Sequence, residues 1–295
     1  MIKILYFSLL TLNLNSIASQ QDTLQQVQLS EVNVVATIKE NGQMRQQPSS
    51  VTLIDKHDLS NNHIISIKET SNIVPNLFIP DYGSRLTSSI YIRGIGSRIN
   101  TPAVGLYVDN IPYIDKSAFD FNFYDVERID VLRGPQGTLY GKNTMGGLIR
   151  VYTKNPLQYE GTDAHLGYAI GDQHRNISLT HYHHISSTMA FSAGGYYEGS
   201  DGFFTNDDTG KSVDKMQAGG GRIRAVYIPT SKLKFDLTAG YDYSDEGAYP
   251  YIYTGVLEGE ESYINNIGKI TNNRDSRYRR GMANAGLNIE YKADK

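Results

Sequence analysis

Residues 232–244 read KLKFDLTAGYDYS, and apolar and polar side chains alternate along the whole stretch. A period of two residues places one set on each face of a β-strand. The apolar face would end in Tyr241 and Tyr243, and the polar face would include Asp236 and Asp242. Five further stretches after Pro156 show this period, most of them less regularly: AHLGYAI (164–170), RNISLTHYHH (175–184), STMAFSAGGYY (187–197), GRIRAVYIP (221–229) and GMANAGLNIEY (281–291).

The connections between these predicted strands differ in length. Two are short, near Ser186 and at 229–232, and two are long, from about 199 to 216 and from about 245 to 277. The first connection, GDQH (171–174), would be a short loop at the end of the long ones, so the division by length is imperfect. Antiparallel strands of about ten residues joined by short turns at one end and long loops at the other are typical of outer-membrane β-barrels. A soluble β-sandwich is the alternative, because its strands alternate in the same way.

The number of strands limits what the chain can form. Barrels of this kind have at least about eight strands, and a lumen that holds a domain needs about 22. Each unpaired backbone group at an open edge costs several kcal/mol in lipid. We therefore predict the antiparallel β-strands of an incomplete transmembrane β-barrel over residues 158–295, in the N-terminal piece of a larger protein.

The N-terminus has the features of an export signal. MIKILYFSLLTLNLNSIASQ contains Lys3, a short apolar core, and Ser16 and Ala18 at the spacing of a cleavage site. This core is far shorter than the roughly 20 apolar residues of a membrane-spanning helix. Residues 1–18 are therefore predicted to be a signal peptide, and residues 19–47, rich in Gln, Asn and Ser, a flexible arm.

Composition excludes several classes of function. The formal net charge is −3 without a clustered basic face, so no nucleic-acid partner is predicted. The chain has no cysteine, which excludes catalytic thiols and thiolate metal sites. No arrangement of Ser, His and acid typical of catalysis stands out, so no enzyme activity, cofactor or metal site is predicted. The histidines of HYHH (181–184) are interpreted as interfacial residues rather than haem or metal ligands.

Residues 48–157 mix short strands with one predicted helix and indicate a compact α+β domain. In SIKETSNIV (66–74), Ser66 and Glu69 have the spacing of a capping box, and Pro75 follows. Two glycine-rich stretches, RGIGSR (93–98) and LRGPQGTLYGKNTMGG (132–147), lack the spacing and the following helix of nucleotide-binding loops. We interpret both stretches as turns.

An ordered set of motifs in this chain resembles the TonB-dependent outer-membrane receptors. LSEVNVVAT (29–37) resembles the TonB box, and SSIYIRGIG (88–96), VGLYVDNIPY (104–113) and VERIDVLRGPQGTLYGKNTMGGLIRVYTK (126–154) resemble successive motifs of the plug domain. The resemblance implies a plug over residues 48–157 inside a barrel of about 22 strands. It further implies that 132–147 is a strand, a turn and a strand, with close backbone approach at Gly146 and Gly147. It also implies a place in the outer membrane, in contact with its lipid, and active import of a scarce nutrient.

The resemblance also implies particular residues and partners. The TonB box would bind the periplasmic TonB protein, and its residues are Leu29, Ser30, Glu31, Val32, Asn33, Val34, Val35 and Ala36. By position, Arg93 and Arg133 would lock the plug to barrel acids, although arginines that merely brace plug loops are an equal alternative. Tyr249, Tyr251, Tyr253 and Tyr263 are candidate ligand contacts in a long external loop, or else girdle residues.

The expected ligand is a small metal chelate such as a ferric siderophore, since RGPQGTLYG differs from the motif usual in glycan importers. Two alternatives remain open at this point. The chain could act only as a binding or sensing module of the outer membrane, or as a truncated plug fragment without transport activity.

Overall fold

A computed structural model describes residues 50–99, 101–247, 270 and 277–293. Within these residues the chain forms a five-stranded sheet, a three-stranded sheet and a six-stranded sheet. The strands are, in chain order, β1 (Ser50–Asp55), β2 (Leu77–Phe78), β3 (Tyr91–Ile92), β4 (Ile95–Gly96), β5 (Val104–Val108), β6 (Ile111–Tyr113), β7 (Val126–Arg133), β8 (Gly147–Thr153), β9 (Gly161–Tyr168), β10 (Arg175–Ser186), β11 (Met189–Ser200), β12 (Met216–Thr230), β13 (Leu233–Gly247) and β14 (Arg277–Tyr291).

The first two sheets belong to a part of the chain that we call the inner domain, the described residues from Ser50 to Leu157. Its five-stranded sheet has the order β1-β7-β8-β5-β6, and only β5 and β8 pair in parallel. Strands β7 and β8 lie centrally, and their apolar residues form the core with β5 and the segments that cover the sheet; Ile129, Val131 and Ile149 are fully buried. The three-stranded sheet β2-β3-β4 is a small addition.

Helices in the inner domain are short. They are α1 (Lys56–Asn61), α2 (Gly137–Tyr140) and three 3₁₀ helices, Lys68–Asn72, Arg85–Thr87 and Lys116–Ala118. Helix α1 begins with a capping box in which Asp55 and Asp58 bond each other's backbone N–H. In the residues that the structure describes, no helix has the length and apolar character needed to cross a membrane.

The predicted helix over 66–74 was wrong in type and extent. The segment contains only the 3₁₀ helix Lys68–Asn72, which has no side-chain cap. Glu69 does accept bonds from the backbone N–H groups of Ile65 and Ser66, so one half of the predicted capping box is present. Ser66 instead forms an isolated β-bridge with Asn122, and this tertiary pairing holds the segment start in an extended conformation.

The glycine-rich stretch 132–147 connects β7 to β8 through α2, as a turn between two strands. A Cβ atom on Gly147 would lie 2.5 Å from the backbone oxygen of Leu132, and one on Gly146 would lie 2.9 Å from that of Ile95. Both positions therefore require glycine because another backbone passes too close for a side chain. The interpretation of these glycines as residues of close backbone approach is confirmed.

The six-stranded sheet, which we call the wall, has the order β14-β13-β12-β11-β10-β9 with every pair antiparallel. Its polar face is turned inward: Asp242 and Ser244 of β13 are buried, whereas Tyr241 and Tyr243 beside them are exposed. A soluble sandwich would bury the apolar face instead. This arrangement matches the strands of a transmembrane barrel, whose apolar face contacts lipid.

The wall is open and its two ends differ. Strands β9 and β14 are its edges, so the sheet does not close in the described residues. Residues 187–188 and 231–232 form short turns at one end, and residues 169–174 and 201–215 join strands at the other. We call the second end the loop end. In outer-membrane barrels the longer loops lie outside the cell and the short turns lie in the periplasm.

Candidate functional site

The inner domain packs against the polar face of the wall, and buried ion pairs join the two. We call this contact the seam. At its loop end, Arg85 lies between two wall acids, with Nη2 2.6 Å from Glu198 Oε2 and Nε 3.2 Å from Glu246 Oε1. Glu246 Oε2 also accepts the Arg85 backbone N–H and the Ser84 hydroxyl, each at 2.8 Å. We call Arg85, Glu198 and Glu246 the upper clamp.

The upper clamp is almost completely withdrawn from water. Relative exposure is 6% for Arg85, 5% for Glu198 and 4% for Glu246. Burial alone would lower the pKa of Arg85, but Glu198 and other nearby acids outweigh this effect and raise it. Arg85 therefore stays charged, and the clamp is held by charge-assisted bonds in a medium of low polarity.

Glu198 is shared by three partners. Besides binding Arg85, Glu198 Oε2 accepts a hydrogen bond from Asn122 Nδ2 at 3.0 Å. Glu198 Oε1 lies 3.0 Å from His174 Nε2. His174 lies in the connection 169–174 between β9 and β10. The hydrogen bond to Glu198 raises the pKa of His174, while burial opposes this shift.

A second cluster lies nearer the short-turn end. Arg224 of β12 forms two bonds with Asp236 of β13, at 3.0 and 2.8 Å, and its Nη1 reaches Asp109 at 3.4 Å and the Thr153 hydroxyl at 2.9 Å. Asp109 Oδ2 accepts the Thr153 hydroxyl at 2.6 Å, and its backbone oxygen accepts Asn288 Nδ2 at 2.8 Å. We call Arg224, Asp236 and Asp109 the lower clamp.

The middle of the seam is formed by the segment before β7. Asp125 accepts two bonds from Arg222 Nη1, at 2.7 and 3.0 Å. The ring of Tyr124 stacks on that of Tyr196 with centroids 5.3 Å apart. Further along, Arg280 Nη2 donates to the backbone oxygen of Asp120 at 2.7 Å. The seam therefore draws on β11, β12, β13 and β14, and its non-covalent contacts can hold the inner domain against the wall.

The two arginines predicted to lock the seam lie elsewhere. Arg93 is exposed with φ of 53°. Arg133 Nη1 donates to the backbone oxygen of Pro75 at 2.9 Å. Within residues 50–99, 101–247 and 277–293, neither is paired with an acid. Their locking role stays a prediction.

The arginines that do form the seam were not singled out from the sequence. Arg222 and Arg224 occupy alternate positions on the polar face of a predicted strand, which was a usable signal for charges facing a protein interior. Arg85 gave no such signal, because its partner Glu198 is 113 residues away in the chain.

An aromatic and cationic cluster lies on the inner domain near the upper clamp. The Arg98 guanidinium stands 4.5 Å from the centroid of the Tyr82 ring, and Tyr91 interacts with Tyr82. The Phe78 ring lies 6.1 Å from that of Tyr91, and Phe78 is 61% exposed. We call these four side chains the aromatic cluster. Lys116 donates to the backbone oxygen of Arg98, and the adjacent Ser117 oxygen accepts Arg280 Nη1 from the loop end of β14, which places the cluster toward the loop end.

The histidines of β10 lie at the opposite end. His181 and His183 are exposed on the outer face with rings stacked 6.0 Å apart, and His183 and His184 both face Glu160. Among the described residues no group of histidines and acids is arranged to hold a metal ion. The position beside a short turn fits the interpretation of interfacial residues.

Several predicted sites lie outside the described residues. These are the signal peptide 1–18, the arm 19–47 with the TonB box Leu29–Ala36, and the loop tyrosines Tyr249, Tyr251, Tyr253 and Tyr263. Their roles stay predictions.

Comparison with known proteins matches residues 43–148 to the family described as TonB-dependent Receptor Plug Domain. The pesticin receptor of Yersinia enterocolitica is 34% identical over 144 residues, which are 48% of this chain and 20% of that protein. The vitamin B12 transporter BtuB of Vibrio vulnificus is 28% identical over 190 residues, covering 61% of this chain and 28% of that protein. The chain therefore spans much less than half the length of these relatives.

Solved structures give a consistent picture of the fold. The ferric yersiniabactin uptake receptor FyuA from Yersinia pestis superposes with a TM-score of 0.71, at 24% identity, over 83% of this chain and 39% of that one. A ferripyoverdine receptor of Pseudomonas aeruginosa superposes with a TM-score of 0.65, at 15% identity, over 84% of this chain and 32% of that one. Both matches extend well beyond the inner domain into the wall.

Proposed function

Because this chain carries the plug domain of a TonB-dependent receptor and the first strands of its barrel, we propose that it serves active import of a scarce nutrient across the outer membrane. The observation that carries the proposal is the seam. A folded domain is clamped at both ends against the polar face of a membrane wall, so passage requires that clamps be released. That is the arrangement an energised importer needs.

The names of the relatives support an import function and limit the chemical class of the imported molecule. Their names describe receptors or transporters for a ferric chelate, vitamin B12 and pesticin. We propose a small metal chelate, such as a ferric siderophore, as the cargo of the complete receptor. A binding or sensing role without transport, and a fragment without transport activity, are the outcomes that the first experiment separates from import.

The energy for transport would reach the inner domain through the arm, residues 19–47. The segment Leu29–Ala36 has the spacing of an extended strand and can add to an exposed sheet edge of the periplasmic TonB protein. Backbone hydrogen bonds would supply affinity, and the alternate side chains of the segment would supply specificity. TonB would then pull on the inner domain through its N-terminal strand β1.

Deleting residues 30–36 in a complete receptor that carries this chain is expected to abolish uptake and leave ligand binding unchanged, because the strand that TonB pairs with is lost while the outer surface stays intact. Uptake of radioactive iron chelates by iron-starved cells and ligand affinity of the purified receptor would be measured together. Deletion of residues 20–26, also within the arm, is the matched control and should leave uptake intact. Unchanged uptake after deletion of 30–36 would exclude the proposed coupling.

The cargo would be recognised at the loop end. We propose that the aromatic cluster contacts the chelate, with Tyr249, Tyr251, Tyr253 and Tyr263 of the loop 248–276 as further contacts. Aromatic rings supply contact area at low entropic cost, and Arg98 supplies a positive charge already oriented over Tyr82. This combination favours an anionic chelate with aryl groups.

Replacing Arg98 by alanine is expected to weaken binding of such a chelate roughly tenfold, which corresponds to about 1.4 kcal/mol, because one charge and its support from Tyr82 are lost. Isothermal titration of the complete receptor with a set of anionic and neutral ferric chelates would measure this. Arg175→Ala removes another exposed charge near the loop end, beside Asp201, and should have no such effect. If Arg98→Ala and Arg175→Ala weaken binding of the chelate equally, affinity depends only on net charge, and the proposed contact of Arg98 with the chelate is wrong.

A further inference from the structure

His174 connects an external loop to the upper clamp. Its Nε2 lies 3.0 Å from Glu198 Oε1, and the other oxygen of the same carboxylate holds Arg85 and Asn122 of the inner domain. The Glu198 side chain is 6% exposed, whereas that of His174 is 23% exposed. A ring that water can reach is therefore bonded directly to a carboxylate that water cannot reach.

The loop of His174 is itself held in place. Asp172 Oδ1 accepts the backbone N–H of His174 at 3.2 Å, and Asp172 Oδ2 accepts the Ser200 hydroxyl at 2.7 Å. The backbone oxygen of Asp172 accepts the Asp201 N–H at 2.9 Å. These bonds fix the loop to the end of β11, two residues beyond Glu198, so the imidazole is presented to the carboxylate in one orientation.

The charges around His174 favour a second cation. Glu198 and Glu246 of the wall, Asp172 of the same loop and Glu69 of the inner domain carry negative charge, and Arg85 is the cation that pairs with the clamp. Lys68 and Asp120 form an ion pair nearby, so their opposite charges cancel. Arg85 and a protonated His174 repel each other. However, they bond to different oxygens of Glu198, and the four acids nearby outnumber the two cations.

We propose that His174 is a positioning residue for the upper clamp: its imidazolium fixes the Glu198 carboxylate and closes the loop 169–174 over the clamp, so that the hold on the inner domain depends on the pH outside the cell. The charged form matters because the imidazolium adds a Coulomb attraction to the Glu198 carboxylate in a medium of low polarity, beyond the hydrogen bond that a neutral ring can also donate. A closed loop also keeps water from the clamp, which strengthens the ion pairs of Arg85.

The direction of the pH effect follows from the environment of the ring. Glu198 raises the pKa of His174 in the closed loop, whereas in an opened loop the ring would titrate near its ordinary value of about 6.5. The stabilisation is therefore complete below the ordinary value and is lost as the pH rises through the raised value. The clamp is tightest in mildly acidic surroundings and loosens in alkaline ones.

Hydrogen exchange of the clamp tests this directly in the complete receptor. A peptide covering residues 84–90 contains the Arg85 N–H that Glu246 accepts, so its exchange reports opening. Two variants are compared with the parent at the same pH, which removes the intrinsic pH dependence of exchange. His174→Gln keeps an N–H donor but cannot gain a proton, and His174→Ala removes both donor and charge.

The parent should exchange several-fold more slowly than the Gln variant at about pH 6 and at the same rate at about pH 8.5, and the Ala variant should be fastest at both. A peptide from β8, residues 148–153, is the control and should not respond. The proposal fails if the His174→Gln variant exchanges at the same rate as the parent at both pH values. It also fails if the His174→Ala variant exchanges at the same rate as the parent at both. The test reads the clamp and not uptake, so although the biological meaning rests on the proposed import function, either idea can fail without the other.

Discussion

Replacing Arg85 by methionine is expected to destabilise the docked inner domain by about 3–5 kcal/mol, the usual cost of removing one partner from a buried ion pair. Methionine fills a similar volume, but Glu198 and Glu246 would remain buried without their counter-charge. The free energy of unfolding of the inner domain in a complete receptor would be measured by pulse proteolysis across a denaturant series. No other single side chain is expected to have a larger effect.

Two controls separate charge from volume. Arg175→Met removes an exposed arginine paired with Asp201 and should change the stability little. Adding Glu198→Gln and Glu246→Gln to the Arg85 variant should recover much of the loss, since no uncompensated charge then remains. If Arg85→Met proves as mild as Arg175→Met, the upper clamp does not hold the inner domain.

Replacing Arg224 by methionine is expected to cost a comparable amount, about 3–5 kcal/mol, but at the other end of the seam. Asp109 and Asp236 would both lose their buried cation, and Thr153 would lose a donor. Hydrogen exchange should rise in residues 104–113, which contain the turn at Asp109, while the peptide 84–90 stays protected.

The matched control for Arg224 is Lys234. Its Nζ lies 3.7 Å from the same Asp236, yet its side chain is 29% exposed, so Lys234→Met should cost at most about 1 kcal/mol. Adding Asp236→Asn to the Arg224 variant should restore part of the stability, because only Asp109 then lacks its partner. A loss of protection at both ends of the seam would show that the clamps act as one unit, contrary to our expectation.

Local patterns in the sequence predicted the wall well. Alternation over 232–244 and 281–291 depends on residues two apart, and the same pattern that identified β13 and β14 also separated the exposed tyrosines from the inward acids. The close backbone approach at Gly146 and Gly147 was instead predicted through the resemblance, because local sequence indicated only turns for the glycine-rich stretches.

The seam could not be predicted in this way. The partners in the upper clamp are 113 and 161 residues apart in the chain, so only the folded domain brings them together. The predicted helix over 66–74 failed for the opposite reason. The local sequence correctly indicated that Glu69 accepts a hydrogen bond from the backbone N–H of Ser66, but the tertiary pairing of Ser66 with Asn122 prevents a helix from beginning there. Arg93 and Arg133 were chosen by resemblance; Arg133 donates to the backbone oxygen of Pro75, and neither arginine is paired with an acid within the described residues.

The seam has a different consequence once the inner domain moves. Arg224 keeps Asp236 within its own sheet, so the short-turn end of the wall would remain neutral. Arg222 would lose Asp125, and Glu198 and Glu246 would lose Arg85. Displacement would therefore uncover Glu198 and Glu246 at the loop end with only Arg280 of β14 beside them, whereas Arg222 and the buried Asp242 of β13 would offset each other about halfway down. The potential would be negative at the entrance and close to neutral below it, so an anionic cargo of the kind proposed would meet its main electrostatic barrier at the entrance.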